Sequence, residues 1–318
     1  MTTAETRELR AVLDQVFTKR RREPSSHPDF DAELWTDLEL SGFDKVLVPD
    51  ASDDLAGRFA DLAAVLVVAG AHAAPIPIAE ASLGNALVAR AGGDVPGGVV
   101  TLVQSSTPLP AAGSARLESV PYAQHADAVV VISPAGDGSA HVDLLRPGRA
   151  VLAAERSNLA GEPRCDLGFD VKSIERVGRL PSAWEVTLQM SAARALLMVG
   201  ALERSRDVAV DYTRLREQFG GPIIRFQAVQ ALVVDVVTAA EIANAMSMCM
   251  VDRLDGDSDE REQALAVAAT RVVTGRSAVT TFRAAHQVLG AMGFTKEHEL
   301  HLTTTRALAW REEARSDR

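Results

Sequence analysis

The chain has 318 residues, with 33 Lys and Arg against 43 Asp and Glu, so its formal net charge is 33 − 43 = −10. That balance argues against a general binder of phosphate backbones, and nucleic acid is not an expected partner. An apolar share of 47% excludes global disorder, and the length suits roughly two to three domains. Aromatic residues make up only 4%, so the core is built mainly from Ala, Val and Leu, a mix suited to close helix packing. The longest apolar run, Leu62 to Ala71, is well short of the roughly 20 residues that span a bilayer, and no membrane segment is expected. Met1-Thr2-Thr3-Ala4-Glu5 puts an acid where a signal peptide carries basic residues, so a cytoplasmic protein is the expectation. Cys165 and Cys249 are too few and too far apart for a disulfide framework and read as reduced, packed thiols.

In chain order, residues 1–96 read as a helical domain. Thr6 to Arg21 carries Leu9, Val12, Leu13, Val16 and Phe17 at helical spacing, and Asp29 to Leu40 repeats the pattern before a stop at Gly42. Leu55 to Ala74 and Ile78 to Ala91 follow, separated by Pro75-Ile76-Pro77. Residues 97–181 read as a β domain with strands at Val99 to Gln104, Ala115 to Tyr122, Ala128 to Ser133, His141 to Leu145, Ala150 to Glu155 and Cys165 to Val171. Residues 182–318 are helical again, with long helices at Ser182 to Leu215, Phe226 to Leu254 and Glu260 to Leu289. Apolar residues such as Val233, Val234, Val236 and Val237 occupy nearly every face of the second of these. It must be covered on several sides, which points to a bundle continued by another subunit.

The most informative stretch is Tyr212-Thr-Arg-Leu-Arg216-Glu-Gln218-Phe219-Gly220-Gly-Pro222-Ile223-Ile-Arg-Phe226-Gln227-Ala-Val-Gln230. On composition alone it is a helix hairpin with an exposed Arg and Gln. A second block runs His286-Gln287-Val-Leu289-Gly290-Ala291-Met-Gly293-Phe294-Thr-Lys-Glu297-His298-Glu-Leu300-His301-Leu302. The first resembles the R-x-Q-F-G-x-P-I-x-x-F-Q-x-x-Q segment of acyl-CoA dehydrogenases, and the second resembles their Q-x-x-G-G-x-G-F-T-x-E-H-x-L-H-L segment. The resemblance is strong over the last 110 or so residues and loose before them. It implies a mainly α fold with a β middle domain: an N-terminal helical domain, a small barrel or sandwich, and a C-terminal four-helix bundle.

The same resemblance implies FAD at a subunit interface. Arg216, Gln218 and Phe219 would face the FAD of a neighbouring subunit, the Arg216 guanidinium lying against the pyrophosphate. Gln227 and Gln287 would hydrogen-bond the cofactor, and Gly290 and Gly293 would admit its adenosine half close to the backbone. Ala291 replaces the family's usual second Gly. The family's reaction removes a proton beside the thioester carbonyl of an acyl-CoA and passes a hydride to flavin, so it requires a carboxylate opposite the ring. Of the two places the family uses for it, the one after the final block holds Glu312 and Glu313 without a following Gly. The other, about seven helical turns before Arg216, falls near Met190, with Glu185 the nearest acid before it. Glu185 and Glu312 are therefore weak candidates.

The family's T-E-P-x-x-G-S-D and W-I-T segments are missing from the middle domain; the Glu-Pro pair in Asn158-Leu-Ala-Gly-Glu162-Pro163 falls after the fifth strand. Together these departures imply the branch in which two unlike chains pair, as in actinobacterial steroid side-chain degradation, with the longer chain supplying the base. An α2β2 heterotetramer oxidising a CoA thioester, with electron-transfer flavoprotein as acceptor, is the implied assembly. The alternatives are a self-sufficient homo-oligomer with an atypical base and a flavin-free scaffold. Arg20-Arg21-Arg22 reads as a solvated helix end, His72 as a core residue, and Glu297, His298 and His301 as helix polar-face residues outside any HExxH spacing, with no metal expected.

Overall fold

A computed structural model describes residues 4–20, 28–49 and 58–313. Arg21, Arg22 and the start of the predicted helix at Leu55 lie outside the described residues. Helices α1 (Ala4–Lys19), α2 (Ala32–Leu40), α3 (Phe59–Ala71) and α4 (Ile78–Arg90) precede seven strands. These are β1 (Val100–Gln104), β2 (Ser114–Pro121), β3 (Ala128–Pro134), β4 (Ala140–Leu145), β5 (Ala150–Ser157), β6 (Pro163–Asp170) and β7 (Ile174–Leu180). Helix α5 (Ala183–Leu215), the short hairpin β8 (Glu217–Gln218) and β9 (Gly221–Pro222), then α6 (Gln227–Asp255), α7 (Glu260–Leu289) and α8 (Leu300–Glu313) complete the order.

Strand β7 was not expected, because Ile174, Val177 and Leu180 recur every third residue rather than every second. A register shift opposite Val142 and Asp143 accounts for the odd spacing: it leaves Val177 as an extra residue between the pairs Val142–Gly178 and Asp143–Arg176. Helix α8 falls within the region expected to be helical, where the sequence pattern set it no bounds of its own.

The packing divides the chain into two compact units. Among the described residues, those within 28–62 and 75–190 form one compact unit and those within 1–27, 63–74 and 191–318 form the other. The reason is the burial of α4. Every residue from Ile78 to Val88 is buried, so this helix cannot belong to a free-standing helical domain, and Gly84 brings it onto Val130 of β3 and Val100 of β1. In this unit a sheet of order β1-β3-β4-β7 and a sheet of order β2-β6-β5 enclose Val103, Leu117, Val129, Val131, Leu145, Leu167 and Phe169. Among the described strands, only β1 and β3 pair in parallel.

In the other unit, α3 and α5 meet at backbone distance. A methyl group on Gly70 would collide with the Leu197 carbonyl, and one on Gly200 with the Val67 carbonyl. Helices α6 and α7 lie antiparallel around Val236, Ala284, Ala285, Val288 and Leu289, with Val208 and Ala209 of α5 and Leu300 of α8. By length and composition α6 could cross a membrane. Its exposed surface, however, carries Asp235, Glu241 and Asp252 among Val234, Ile242 and Met248, and Leu265 and Val272 are exposed on α7.

Gly200→Ala tests the α3–α5 contact. Alanine adds about 1 kcal/mol of helix propensity, yet the overpacked backbone is expected to leave a net loss of about 1–3 kcal/mol. Urea unfolding measures it; an unchanged or raised midpoint would show that the two helices do not sit this close.

Candidate functional site

Helix α5 ends where Arg216 N–H still donates to the Tyr212 carbonyl at 2.8 Å, while the Arg216 carbonyl accepts from Ile223 N–H at 2.9 Å. Between them the chain reverses through Phe219 (φ 52°) and Gly220 (φ 86°), both left-handed, as a two-residue hairpin of type I′ requires. Glycine takes this conformation freely, whereas phenylalanine does so at a penalty of about 1–2 kcal/mol. The turn holds the Phe219 ring 91% exposed, edge-on to Phe226 at 5.8 Å. Arg216, Gln218 and Gln227 are exposed on the same connection. Their side chains make no hydrogen bond or ion pair among the described residues.

The end of α7 is also built around glycine. Gly290 takes φ 58° and ψ −135°, which a side chain would strongly disfavour. Gly293 turns back against the helix, where a Cβ would stand 3.0 Å from that of Leu289 and 3.2 Å from the His286 carbonyl oxygen. Ala291 is exposed and its φ is not positive, so the methyl group at this position is tolerated locally. Beneath the turn His286 is buried; its Nε2 lies 2.9 Å from the Thr304 hydroxyl of α8, and its ring contacts Phe282 and Phe294 at 4.5 and 5.0 Å.

The antiparallel pairing of α6 and α7 brings the two motif blocks to the same end of the bundle. Gln287 lines a cavity of about 550 Å³ with Val279, Thr280, Arg283 and Ala284 of α7 and Leu232 and Asp235 of α6. Gln227 precedes Leu232 by about a turn and a half of helix, or about 7–8 Å. Asp235 and Arg283 were not singled out in the sequence; the signal for Arg283 was its place one helical turn before Gln287, on the same face.

Neither candidate base lines this cavity. Glu185 accepts from both terminal nitrogens of Arg90, at 2.7 and 3.0 Å, and from the Gln189 amide at 3.1 Å. Glu312 is about half exposed on α8, 3.6 Å from Arg311. Asn158 and Glu162 close the β5–β6 turn: the Asn158 side chain accepts from the Ala160 and Glu162 N–H groups and donates to the Glu162 carboxylate at 2.7 Å. His298 Nδ1 accepts from Leu300 N–H at 3.2 Å and His301 Nδ1 donates to the His298 carbonyl, so both rings serve the start of α8. His72 lies 2.7 Å from Asp14.

An exposed guanidinium, the unpaired amides of Gln218, Gln227 and Gln287, an exposed aromatic ring and a glycine turn form a donor set that suits the phosphates and hydroxyls of a flavin dinucleotide. The class is thus a protein with a helical bundle and a β domain. Residues 184–312 match the family "Acyl-CoA dehydrogenase, C-terminal domain". FadE27, an acyl-CoA dehydrogenase of Mycobacterium tuberculosis, is 31% identical over 248 residues, covering 69% of this chain and 66% of that protein. The ChsE4-ChsE5 complex of the same bacterium superposes with a TM-score of 0.82 at 22% identity, covering 99% of this chain and 94% of the matched chain. The Tcur3481-Tcur3483 steroid ACAD (G363A variant) gives 0.82 at 19%, covering 98% and 95%. The chain spans only 15% of the length of FadE34, a further relative in M. tuberculosis. The chain belongs to the acyl-CoA dehydrogenase family.

Burial holds the His286 imidazole below its ordinary pKa, with His301 and His298 adding to the effect, and burial lowers His298 as well. Unfolded imidazoles take up protons below about pH 6.5 and these rings do so only at lower pH, so the unfolded chain binds more protons and stability falls as pH falls through that window. Denaturation midpoints at pH 7.5 and 5.5 are expected to differ less in His286→Gln than in the wild type; equal differences would remove His286 from the pH response.

Proposed function

We propose that this chain is one subunit of an FAD-dependent acyl-CoA dehydrogenase, supplying half of an interfacial FAD site and relying on a longer partner chain for the catalytic base. The observation that carries this reading is the contrast between its two sets of candidates. Arg216, Gln218 and Gln227 present unpaired side chains around an exposed Phe219, whereas the acid nearest the expected base position, Glu185, is held by Arg90. Flavin, when bound, accepts the hydride lost from the carbon β to the thioester carbonyl.

This chain's part is to bind and orient. The Arg216 guanidinium neutralises phosphate charge, the amides of Gln218, Gln227 and Gln287 hydrogen-bond the dinucleotide, and Phe219 covers it from water. Gly290 and Gly293 keep the turn beside Gln287 low enough for close approach. The exposed apolar residues of α6 and α7 form the subunit contact, where a bilayer would reject Asp235, Glu241 and Asp252. The substrate is a CoA thioester with a bulky acyl group of the steroid side-chain kind, in keeping with the two-chain assemblies whose fold this chain shares. Electron-transfer flavoprotein is the electron acceptor, and the cytoplasm the site of action.

Co-expressed with its longer partner, the chain is expected to yield a yellow complex. Arg216→Ala is expected to lose about 1.5–3 kcal/mol of flavin binding, or about ten- to a hundredfold, read as flavin retained per complex after dialysis. Unchanged flavin content would remove Arg216 from the site. Expressed alone, the chain is expected to show no dye-coupled acyl-CoA oxidation. Robust turnover without a partner would favour the homo-oligomer with Glu185 or Glu312 as base, and a colourless complex would favour the scaffold.

A further inference from the structure

Asp235 on α6 and Arg283 on α7 line the same cavity, yet neither side chain forms an ion pair or hydrogen bond among the described residues. Thr280 and Gln287 line it too, and their side chains are equally unengaged, while Leu232, Val279 and Ala284 supply apolar wall. Opposite charges with a purely structural role would be expected to close on each other across a helix pair. Here they remain apart around about 550 Å³.

A ligand that satisfies both must offer an anion to the guanidinium and hydrogen-bond donors to the carboxylate. A simple anion would be repelled by Asp235, and a cation by Arg283. A ribosyl phosphate carries both functions on adjoining atoms: phosphate oxygens for Arg283, and vicinal hydroxyls that donate to a carboxylate, with a base to lie on the apolar wall. Adenosine diphosphate is the portion shared by a flavin dinucleotide and by coenzyme A, and Asp235 separates the two. The flavin dinucleotide leaves both ribose hydroxyls free, whereas coenzyme A bears a phosphate on the 3′ oxygen, which would face a carboxylate of the same sign.

We propose that Asp235 and Arg283 form a ribose-phosphate reader that accepts an adenosine diphosphate with a free 2′,3′-diol and rejects the 3′-phosphorylated form. The inference deepens the FAD reading above and, in its choice of ligand, rests on it: the cavity takes the adenosine half of FAD and not that of the acyl-CoA. Arg283 binds phosphate charge, Asp235 accepts from the ribose hydroxyls, and Gln287 and Thr280 complete the polar rim.

Titration calorimetry on the full chain, with ADP and with adenosine 3′,5′-bisphosphate as probes, tests this directly. ADP is expected to bind the wild type at least roughly tenfold more tightly than the bisphosphate. Asp235→Asn is expected to weaken ADP by roughly tenfold and to erase most of the difference between the probes; Arg283→Gln is expected to weaken both. Circular dichroism on the variants, whose substituted side chains are exposed, checks folding. Equal binding of the two probes by the wild type, or ADP affinity unchanged in both variants, overturns the proposal. Two outcomes separate it from the reading it rests on. If Arg216→Ala strips flavin from the partnered complex while Asp235→Asn leaves ADP binding intact, the FAD site stands and the reader falls. If the partnered complex holds no flavin while ADP binds in an Asp235-dependent way, the reader stands and the FAD assignment falls.

Discussion

The antiparallel packing of α6 on α7 is the contact on which the rest of the site depends. It buries Val236, Ala239, Ala240 and Ala243 of one helix and Ala278, Ala284, Ala285 and Val288 of the other, small residues that let the two axes approach closely. Because the helices run in opposite directions, the beginning of one is the neighbour of the end of the other. The hairpin that starts α6 and the glycine turn that ends α7 are therefore brought to one end of the bundle, though some sixty residues separate Gln227 from Gln287 in the chain. His286 secures this end from below: its contacts with Thr304, Phe282 and Phe294 connect α7, the turn and α8.

That packing also explains why the outer surface of the bundle is unfinished. Each helix of the pair has one side buried, and the other carries Val234, Ile242 and Met248 on α6 and Leu265 and Val272 on α7. Together with Phe219 and Phe294, these residues leave an apolar surface that association would cover. The polar side chains of Arg216, Gln218 and Gln227 have no partner among the described residues and lie in the same unit as this surface. Glu185, by contrast, is engaged by Arg90 and holds α4 to the start of α5.

The strands and long helices could be read from sequence because their determinants are local. Alternating or continuous apolar runs between turn residues mark six of the seven strands of the β domain, and the absence of Pro marks the long helices. Strand β7 escaped because a bulge changes its apolar spacing, and a bulge is a property of a strand pair rather than of a strand. Phe219 could be placed in a Gly-Gly-Pro break, but its left-handed backbone and full exposure arise from pairing across the two-residue turn. The division into units rests on tertiary packing. The buried circumference of α4 shows in its composition, but nothing in that composition says that strands β1 and β3 provide part of its cover.

By itself, the sequence determined the acidic balance, the order of helix, strand and helix, and the two motif blocks that mark the family. These follow from residue identity and short-range spacing. Tertiary structure alone decided that Glu185 is engaged, that Gly290 and Gly293 are required by the turn they form, and that Asp235 and Arg283 share a cavity without pairing. Such facts concern residues distant in the chain or the geometry of a closed turn. Whether a charge is paired or free depends on which helix faces it and at what register, and that is settled only when the core packs.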